Sequence, residues 1–202
     1  TQCAVHARYV RIDKLSRPTY APMDYKGEKT MGTTQKLAEW VVSTGFDDLT
    51  PDAVEIAKGL VLDCLGGAVS GAHERVTQMV TKFVKDSGGV PECGVVAQGF
   101  RTSLTNAVLV NATADHSQEL EAMGHYTGSN PFYNIPVALA MAEKFKLSGK
   151  EVLEGIVIGF EVQARLGRYL AAWDRGFSGL TIYGTLGAAL TGSKMMKLTV
   201  DQ

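Results

Sequence analysis

PDAVEIAKGLVLDCLGGAVSGA, residues 51–72, predicts one long helix. The preceding Thr50 is a typical N-cap, and Pro51 suits the first helical position because an N–H there would have no partner within the helix. Apolar residues cover much of the circumference between Val54 and Val69. That distribution is typical of a helix that is buried on most sides. We therefore expect this helix to lie among other helices rather than on the protein surface.

The rest of the chain from residue 34 also reads as helix. Residues 90–100, VPECGVVAQGF, form the only plausible strand, and it would be short. Helical patterns resume after it, and their predicted starts are Thr102 or Ser103 (running to about Ala114), Pro136, and the capping box Ser148-x-x-Glu151. Small residues at helical spacing in residues 184–192 favour close helix packing. The sequence therefore predicts an all-α bundle of roughly seven to eight helices, without repeats or an internal linker.

The first thirty residues differ from the remainder. They mix basic residues with Pro and Gly, and no apolar period is sustained. We interpret residues 1–30 as an irregular N-terminal extension and residues 31–202 as the helical domain.

Composition excludes several classes of function. The chain has 202 residues, a net charge of −1 and 45% hydrophobic residues, which indicates a globular protein without a nucleic-acid-binding surface. Polar residues interrupt the longest apolar runs, so no membrane partner is expected. The cysteines are Cys3, Cys64 and Cys93, and none forms a CxxC pair. They predict free thiols in a reducing, cytoplasmic compartment, with Cys64 in the core.

A polar segment between two helical patterns concentrates the residues with chemical potential. It runs from about residue 115 to 130 and carries His116, Glu119, Glu121, His125, Ser129 and Asn130. His116 and Glu119 are three residues apart and would share a face if the preceding helix continued for one more turn. An imidazole beside a carboxylate is the smallest set of side chains that can carry out general acid–base catalysis. The alternative is a helix-end histidine bonded to the backbone, with solvated glutamates.

Two other interpretations of charged residues remain open. A metal site built on His-x-x-Glu-x-Glu-x-x-x-His would lack the second Glu-x-x-His that di-iron bundles carry, so we expect no metal there. Arg165 and its neighbours follow the long helix and are suited to bind an anionic substrate, because a guanidinium binds carboxylates bidentately. Favourable placement at a solvated helix end is the alternative for these arginines.

The order of segments resembles the MmgE/PrpD family. The similarity covers about residues 34–198, and it is carried by the helix at 51–72 and by NATADHSQELEA (111–122), IPVALAMAE (135–143), IVIGFEVQARLG (156–167) and GFSGLTIYGTLGAAL (176–190). The resemblance implies a large helical domain with a smaller α/β lid that is absent from this chain. It also implies a lyase, often a homodimer, that acts on small di- or tricarboxylates without metal or cofactor. The family includes 2-methylcitrate dehydratase, cis-aconitate decarboxylase and iminodisuccinate epimerase.

The resemblance also implies roles for individual residues. His116 matches a family histidine, Glu119 stands where an active-site aspartate is expected, and Glu121 replaces the next aspartate. Ser129 and Ser178 stand where the family has histidines. We expect Glu119, His116 and Ser178 in the reaction, with Glu119 directed inward as base. We expect Glu121, His125, Ser129, Asn130 and Arg165 to bind substrate.

Ser129 and Ser178 in place of the family's histidines leave two interpretations of the function. The first is a lyase of the 2-methylcitrate dehydratase type, or a relative with cis-aconitate decarboxylase-like or epimerase activity. The second is a non-catalytic helical scaffold that kept the fold after losing two histidines. Family members are about twice as long as this chain, so the domain is expected to be truncated at its C-terminus.

Overall fold

A computed structural model describes residues 32–124, 129–170, 176 and 178–202. The irregular extension predicted for residues 1–30 lies outside this range. The described part contains seven α-helices, which are α1 Thr33–Ser43, α2 Pro51–Gly71, α3 Arg75–Ser87, α4 Leu104–His116, α5 Pro131–Phe145, α6 Gly149–Leu170 and α7 Gly179–Met195. A 3-10 turn spans Phe46–Asp48, and the strands β1 Cys93–Gly94 and β2 Arg101–Thr102 form one antiparallel pair. The all-α prediction is confirmed, and the predicted strand region supplies the first half of this hairpin.

Helix α2 begins as its sequence predicts. The Thr50 hydroxyl oxygen accepts a hydrogen bond from the Ala53 N–H at 3.2 Å. Cys64 is 2% exposed, as expected for a core residue. The expectation of burial on most sides is wrong, however, because Leu62 and Val69 are 74% and 56% exposed. Helices α4, α5 and α6 pack against the opposite side of α2, so these described helices leave the apolar face with Leu62 and Val69 exposed.

Helices α2 and α4 approach each other at two glycines. A Cβ at Gly67 would overlap the carboxylate of Asp115, and one at Gly71 would overlap the carbonyl oxygen of Ala114. Only a residue without a side chain allows this backbone separation. The close contact holds the end of α4, where His116 lies, against α2.

Helix α5 begins five residues earlier than predicted. Pro131, not Pro136, occupies its first turn, and Asn130 is the N-cap with an extended backbone. Pro136 lies inside the helix, where its missing N–H removes a bond to the carbonyl of Phe132. Burial of the first turn explains why the helix extends past this defect, since Phe132 and Ile135 are 7% and 0% exposed. The N-terminus of α5 is thereby brought beside the polar segment.

Helices α6 and α7 make the most extensive helix contact in the bundle. A Cβ at Gly159 would overlap the Thr191 hydroxyl, and one at Gly187 would overlap the Gln163 side chain. The predicted close packing of small residues is therefore confirmed. Within the described part, no helix is long and apolar enough to cross a membrane.

Candidate active site

His116 and Glu121 form the central contact of the polar segment. His116 is the last residue of α4. Its Nδ1 lies 2.5 Å from Glu121 Oε1, and the Glu121 side chain is only 3% exposed. The imidazole also stacks on the ring of Phe132, with centroids 4.0 Å apart and planes 12° from parallel. A carboxylate and an aromatic ring therefore fix the orientation of this histidine.

Glu119 does not take the position expected of it. Its side chain is exposed, and its backbone adopts a left-handed conformation with φ of 51°. Helix α4 ends at His116, and the Glu119 N–H donates to the His116 carbonyl in the turn that follows. The expected inward orientation is therefore wrong, because the helical spacing it assumed does not continue past His116. Its role as base remains a prediction without this geometric support.

Asn130 joins the pair from the N-terminus of α5. Its Nδ2 lies 3.5 Å from Glu121 Oε1, and its backbone N–H donates to Gln163 Oε1 at 3.0 Å. Ser129 is 0% exposed, and its carbonyl accepts a bond from the Gly124 N–H at 2.7 Å. The structure thus brings Asn130 together with His116 and Glu121. Ser129 directly precedes Asn130 in the chain.

Glu121 and Asn130 each have one buried acceptor atom without a hydrogen-bond partner within the described residues. These atoms are Oε2 of Glu121 and Oδ1 of Asn130. Buried polar atoms are nearly always paired in native structures, so exceptions call for a specific explanation. Both atoms retain capacity to accept a hydrogen bond from a ligand group.

Asp115 is a member of this cluster that sequence reasoning missed. It is 1% exposed and lies on α4 against Gly67 and the thiol of Cys64. Burial raises the pKa of Asp115 to about 6, the Cys64 contact opposes the rise, and the charge of Glu121 adds to it. Burial, and then the Asp115 carboxylate, raise the pKa of the Cys64 thiol. The available signal was an aspartate within the helical run ATADH, opposite the glycines of α2.

Two buried amide side chains hold the Asn130 end of the cluster in place. Gln163 and Asn134 are both 0% exposed, and Gln163 Nε2 donates to Asn134 Oδ1 at 2.7 Å. Gln163 also accepts the N–H of Asn130. These residues were missed too, and the signal was a glutamine within the apolar pattern of α6. Together they fix the N-terminus of α5 and therefore the position of Asn130.

Besides Glu119, the predicted site residues Arg165 and Ser178 are not brought to this cluster. Arg165 donates to Glu161 Oε1 at 2.9 Å and stacks over the Trp40 ring. It follows Gln163 by two residues, about 200° around α6, and so faces α1 instead. Ser178 is exposed at the N-cap of α7. His125 lies outside the described residues.

An open groove of about 640 Å³ begins beside His116. Phe132 and Tyr133 of α5 line the same groove, together with residues of α3, α4 and α7. Burial, followed by the charge of Glu121, raises the pKa of Tyr133. Within the described residues, no three His, Cys, Asp or Glu side chains converge as a metal-binding group. The expectation that the protein needs no metal remains a prediction.

Comparison with known proteins places this arrangement in a family. The model of the MmgE/PrpD N-terminal domain matches residues 35–202. A cis-aconitate decarboxylase-like protein, oryM, of Aspergillus oryzae is 26% identical over an alignment of 182 positions, which covers 83% of this chain and 37% of that protein. Cis-aconitate decarboxylase of Aspergillus terreus is 26% identical over 84% of this chain and 36% of its own length. The human cis-aconitate decarboxylase is 27% identical over 82% of this chain and 36% of its own length.

The chain therefore spans little more than a third of the length of these curated relatives. The family model, in contrast, covers most of the chain and includes α2 to α7 in full and α1 except for its first two residues. The helical architecture and the order of its segments agree with that match. On this evidence the chain belongs to the MmgE/PrpD family.

Proposed function

We propose that the full-length protein is a lyase that transfers a proton to or from a carbon atom of a small carboxylic acid. The observation that carries this proposal is the contact between His116 Nδ1 and the buried Glu121 carboxylate. The relatives' names supply the lyase class, since three of them are cis-aconitate decarboxylases and the fourth is a cis-aconitate decarboxylase-like protein.

The proton transfer is assigned to Nε2 of His116. In the neutral ring the Nδ1 hydrogen is donated to Glu121, so Nε2 carries the lone pair and acts as the base. After it takes a proton, Glu121 stabilises the resulting imidazolium. In the reverse direction the protonated ring delivers the hydrogen to carbon. The Asn130 amide donates to Glu121 or to the substrate.

This step serves either lyase reaction. In a dehydration, removal of the carbon-bound proton accompanies loss of hydroxide from the adjacent carbon. In a decarboxylation, the carbon–carbon bond breaks, carbon dioxide leaves, and the remaining electron pair takes a proton from the acid. The names of the relatives favour decarboxylation, and the order of sequence motifs is equally compatible with dehydration of the 2-methylcitrate type.

The carboxylates around His116 mean that additional cationic groups are needed to bind an anionic substrate. Glu121 and Asp115 lie beside His116, while Arg165 is paired elsewhere. A di- or tricarboxylate would be repelled by two ionised carboxylates. We assign the compensating cations to the length of protein that the relatives have beyond this match. A protonated Asp115 would reduce the repulsion further.

The test is turnover by the full-length protein. Release of carbon dioxide from cis-aconitate and loss of water from 2-methylcitrate are measured separately. His116→Gln is expected to lower kcat by about 10²- to 10⁴-fold, the usual contribution of a general acid or base. The matched control is His73→Gln, because His73 is exposed in the connection between α2 and α3. Absence of turnover with any small mono-, di- or tricarboxylate would contradict the proposal.

A non-catalytic scaffold is the second candidate. Ser129 and Ser178 stand where the resemblance predicts histidines, and this observation favours it. Activity that appears only after Ser178→His would show that the native site has decayed. Activity of the unmodified protein would exclude this candidate.

We further propose that the protein is a homodimer in the cytoplasm. The exposed face of α2 supports the dimer, because Leu62 and Val69 lie seven residues apart on one side with Gly66 between them. Sedimentation velocity of Leu62→Asp should show dissociation, whereas Val90→Asp, at another exposed apolar residue, should not. Free buried thiols at Cys64 and Cys93 support a reducing compartment.

A further inference from the structure

The groove beside His116 is built from apolar surface. Leu109 and Ala112 of α4, Val137 of α5 and Ala188 of α7 line it, and Thr113 and Thr185 contribute at its sides. Its volume of about 640 Å³ lies in the range of small-molecule sites. Leu109 keeps 44% of its surface exposed, so ligand contact would remove apolar area from water.

The lining of this groove contains almost no charged groups. Among the described residues that line it, none is Lys, Arg, Asp or Glu, and the polar ones are His116, Tyr133, Ser117 and two threonines. A carboxylate placed against the apolar part would lose its hydration without gaining a partner, which is strongly unfavourable. A second acid group of a substrate therefore has no place along the groove.

His116 connects the groove to the proposed chemistry. Its Nδ1 is engaged by Glu121 and one ring face is covered by Phe132. The side chain is nevertheless 38% exposed. Part of the ring therefore stays exposed beyond these two contacts, and the same residue lines the groove.

We infer that the groove binds the hydrocarbon arm of the substrate, and that the substrate is a carboxylic acid with an alkyl chain extending from the carbon that His116 serves. This inference rests on the proposed function of His116, which it narrows. The acid end lies near Nε2, and the alkyl chain lies between Leu109, Val137 and Ala188. A substrate whose carboxylates are spread over its whole length does not fit.

The test compares two series of acids by calorimetric binding to the full-length protein. Butanoate, hexanoate and octanoate carry one acid group, and succinate, adipate and suberate carry a second at the far end. Each added methylene should tighten binding of the first series about two- to fourfold, as expected from about 0.8 kcal/mol per buried methylene in a groove that stays partly open. The second series should show no such gain.

Variants on α7 and α4 test whether the alkyl chain binds in the groove. Ala188→Phe fills the groove and should abolish the chain-length dependence. Ala189→Phe is the matched control, since Ala189 is the exposed neighbour that does not line the groove. Leu109→Ala removes apolar contact without adding bulk and should weaken octanoate binding at least twofold more than butanoate binding. This second variant keeps the test decisive if Ala188→Phe fails to fold.

The outcomes separate this inference from the proposed function. Equal affinity across the first series, together with turnover of short acids, overturns the groove assignment and leaves the lyase proposal intact. Chain-length dependence without turnover of any acid supports the groove and overturns the lyase proposal. If affinity is flat and Ala188→Phe, but not Ala189→Phe, changes the sedimentation coefficient, the groove is a protein interface and the inference is wrong.

Discussion

Glu121 Oε1 lies 2.5 Å from His116 Nδ1, although five residues and the end of a helix separate the two. The turn through Glu119 reverses the chain and returns the second glutamate, not the first, to the imidazole. The arrangement depends on the left-handed backbone at Glu119 and on the burial of Glu121.

Glu121→Gln should lower kcat by about 10²-fold or more in the full-length protein. The amide leaves an uncharged partner for Nδ1 and no longer stabilises the imidazolium. Glu119→Gln is the matched control and should change kcat less than threefold, because its side chain is exposed. Steady-state kinetics with the best carboxylic acid substrate measures both. The reverse order of effects would return the role of base to Glu119.

Asp115→Asn should remove a pH dependence of stability. Burial raises the pKa of this carboxyl to about 6, so the folded state favours the protonated form. Its stabilising contribution is complete below pH 3.8, the ordinary pKa, and is lost as pH rises to about 6. The loss amounts to roughly 3 kcal/mol at one pKa unit per 1.36 kcal/mol.

Urea unfolding between pH 4 and 8 measures this contribution. The free energy of unfolding of the unmodified protein should decline through this window more than that of Asp115→Asn. Asp86→Asn, at an exposed carboxylate of α3, should retain the decline of the unmodified protein. Parallel curves for all three proteins would show that Asp115 titrates normally.

Gly71→Ala should destabilise the bundle by about 2 kcal/mol or more. The added Cβ would overlap the Ala114 carbonyl oxygen, which belongs to the backbone and moves only with α4. Gly59→Ala lies in the same helix, where a Cβ has open space. It should stabilise the protein by up to about 1 kcal/mol through helix propensity. Thermal unfolding of the two variants gives the comparison, and equal shifts would contradict the close approach of α2 and α4.

Gln163→Leu should cost about 2 to 4 kcal/mol of stability. The substitution leaves the Asn130 N–H and the Asn134 Oδ1 without their buried partner. It should also raise the KM of the full-length protein, because Asn130 then no longer holds its place beside Glu121. Gln35→Leu, on the exposed face of α1, is a control for the loss of an amide. Unchanged stability of Gln163→Leu would mean that the amide network is dispensable.

Much of the fold follows from local signals. The N-cap at Thr50 and the capping box at Ser148 and Glu151 mark helix starts that the structure confirms. Pro136 misled the prediction, because burial of the first turn of α5 outweighs one missing backbone hydrogen bond. The prediction that most sides of α2 are buried was wrong, because the pattern of apolar residues shows which side chains are apolar but not which other helices contact them.

The site was predictable only in part. The polar segment drew attention to His116, Glu121 and Asn130, which lie together. Glu119 was expected inward on the assumption of a continuing helix. For Asp115 and Gln163 the sequence offered only a polar residue within a helical pattern, because their burial depends on contacts between distant parts of the chain.

The sequence by itself determined a helical bundle, its helix ends and the segment that carries the chemistry, because these depend on interactions between residues a few positions apart. Only the tertiary structure decided which glutamate meets the imidazole, that Arg165 turns away, and that an apolar groove opens beside His116. Those features arise where helices far apart in the chain pack together. Where two helices pack together, the direction of a side chain depends on the shapes of both helices. A single stretch of sequence describes only one of the two.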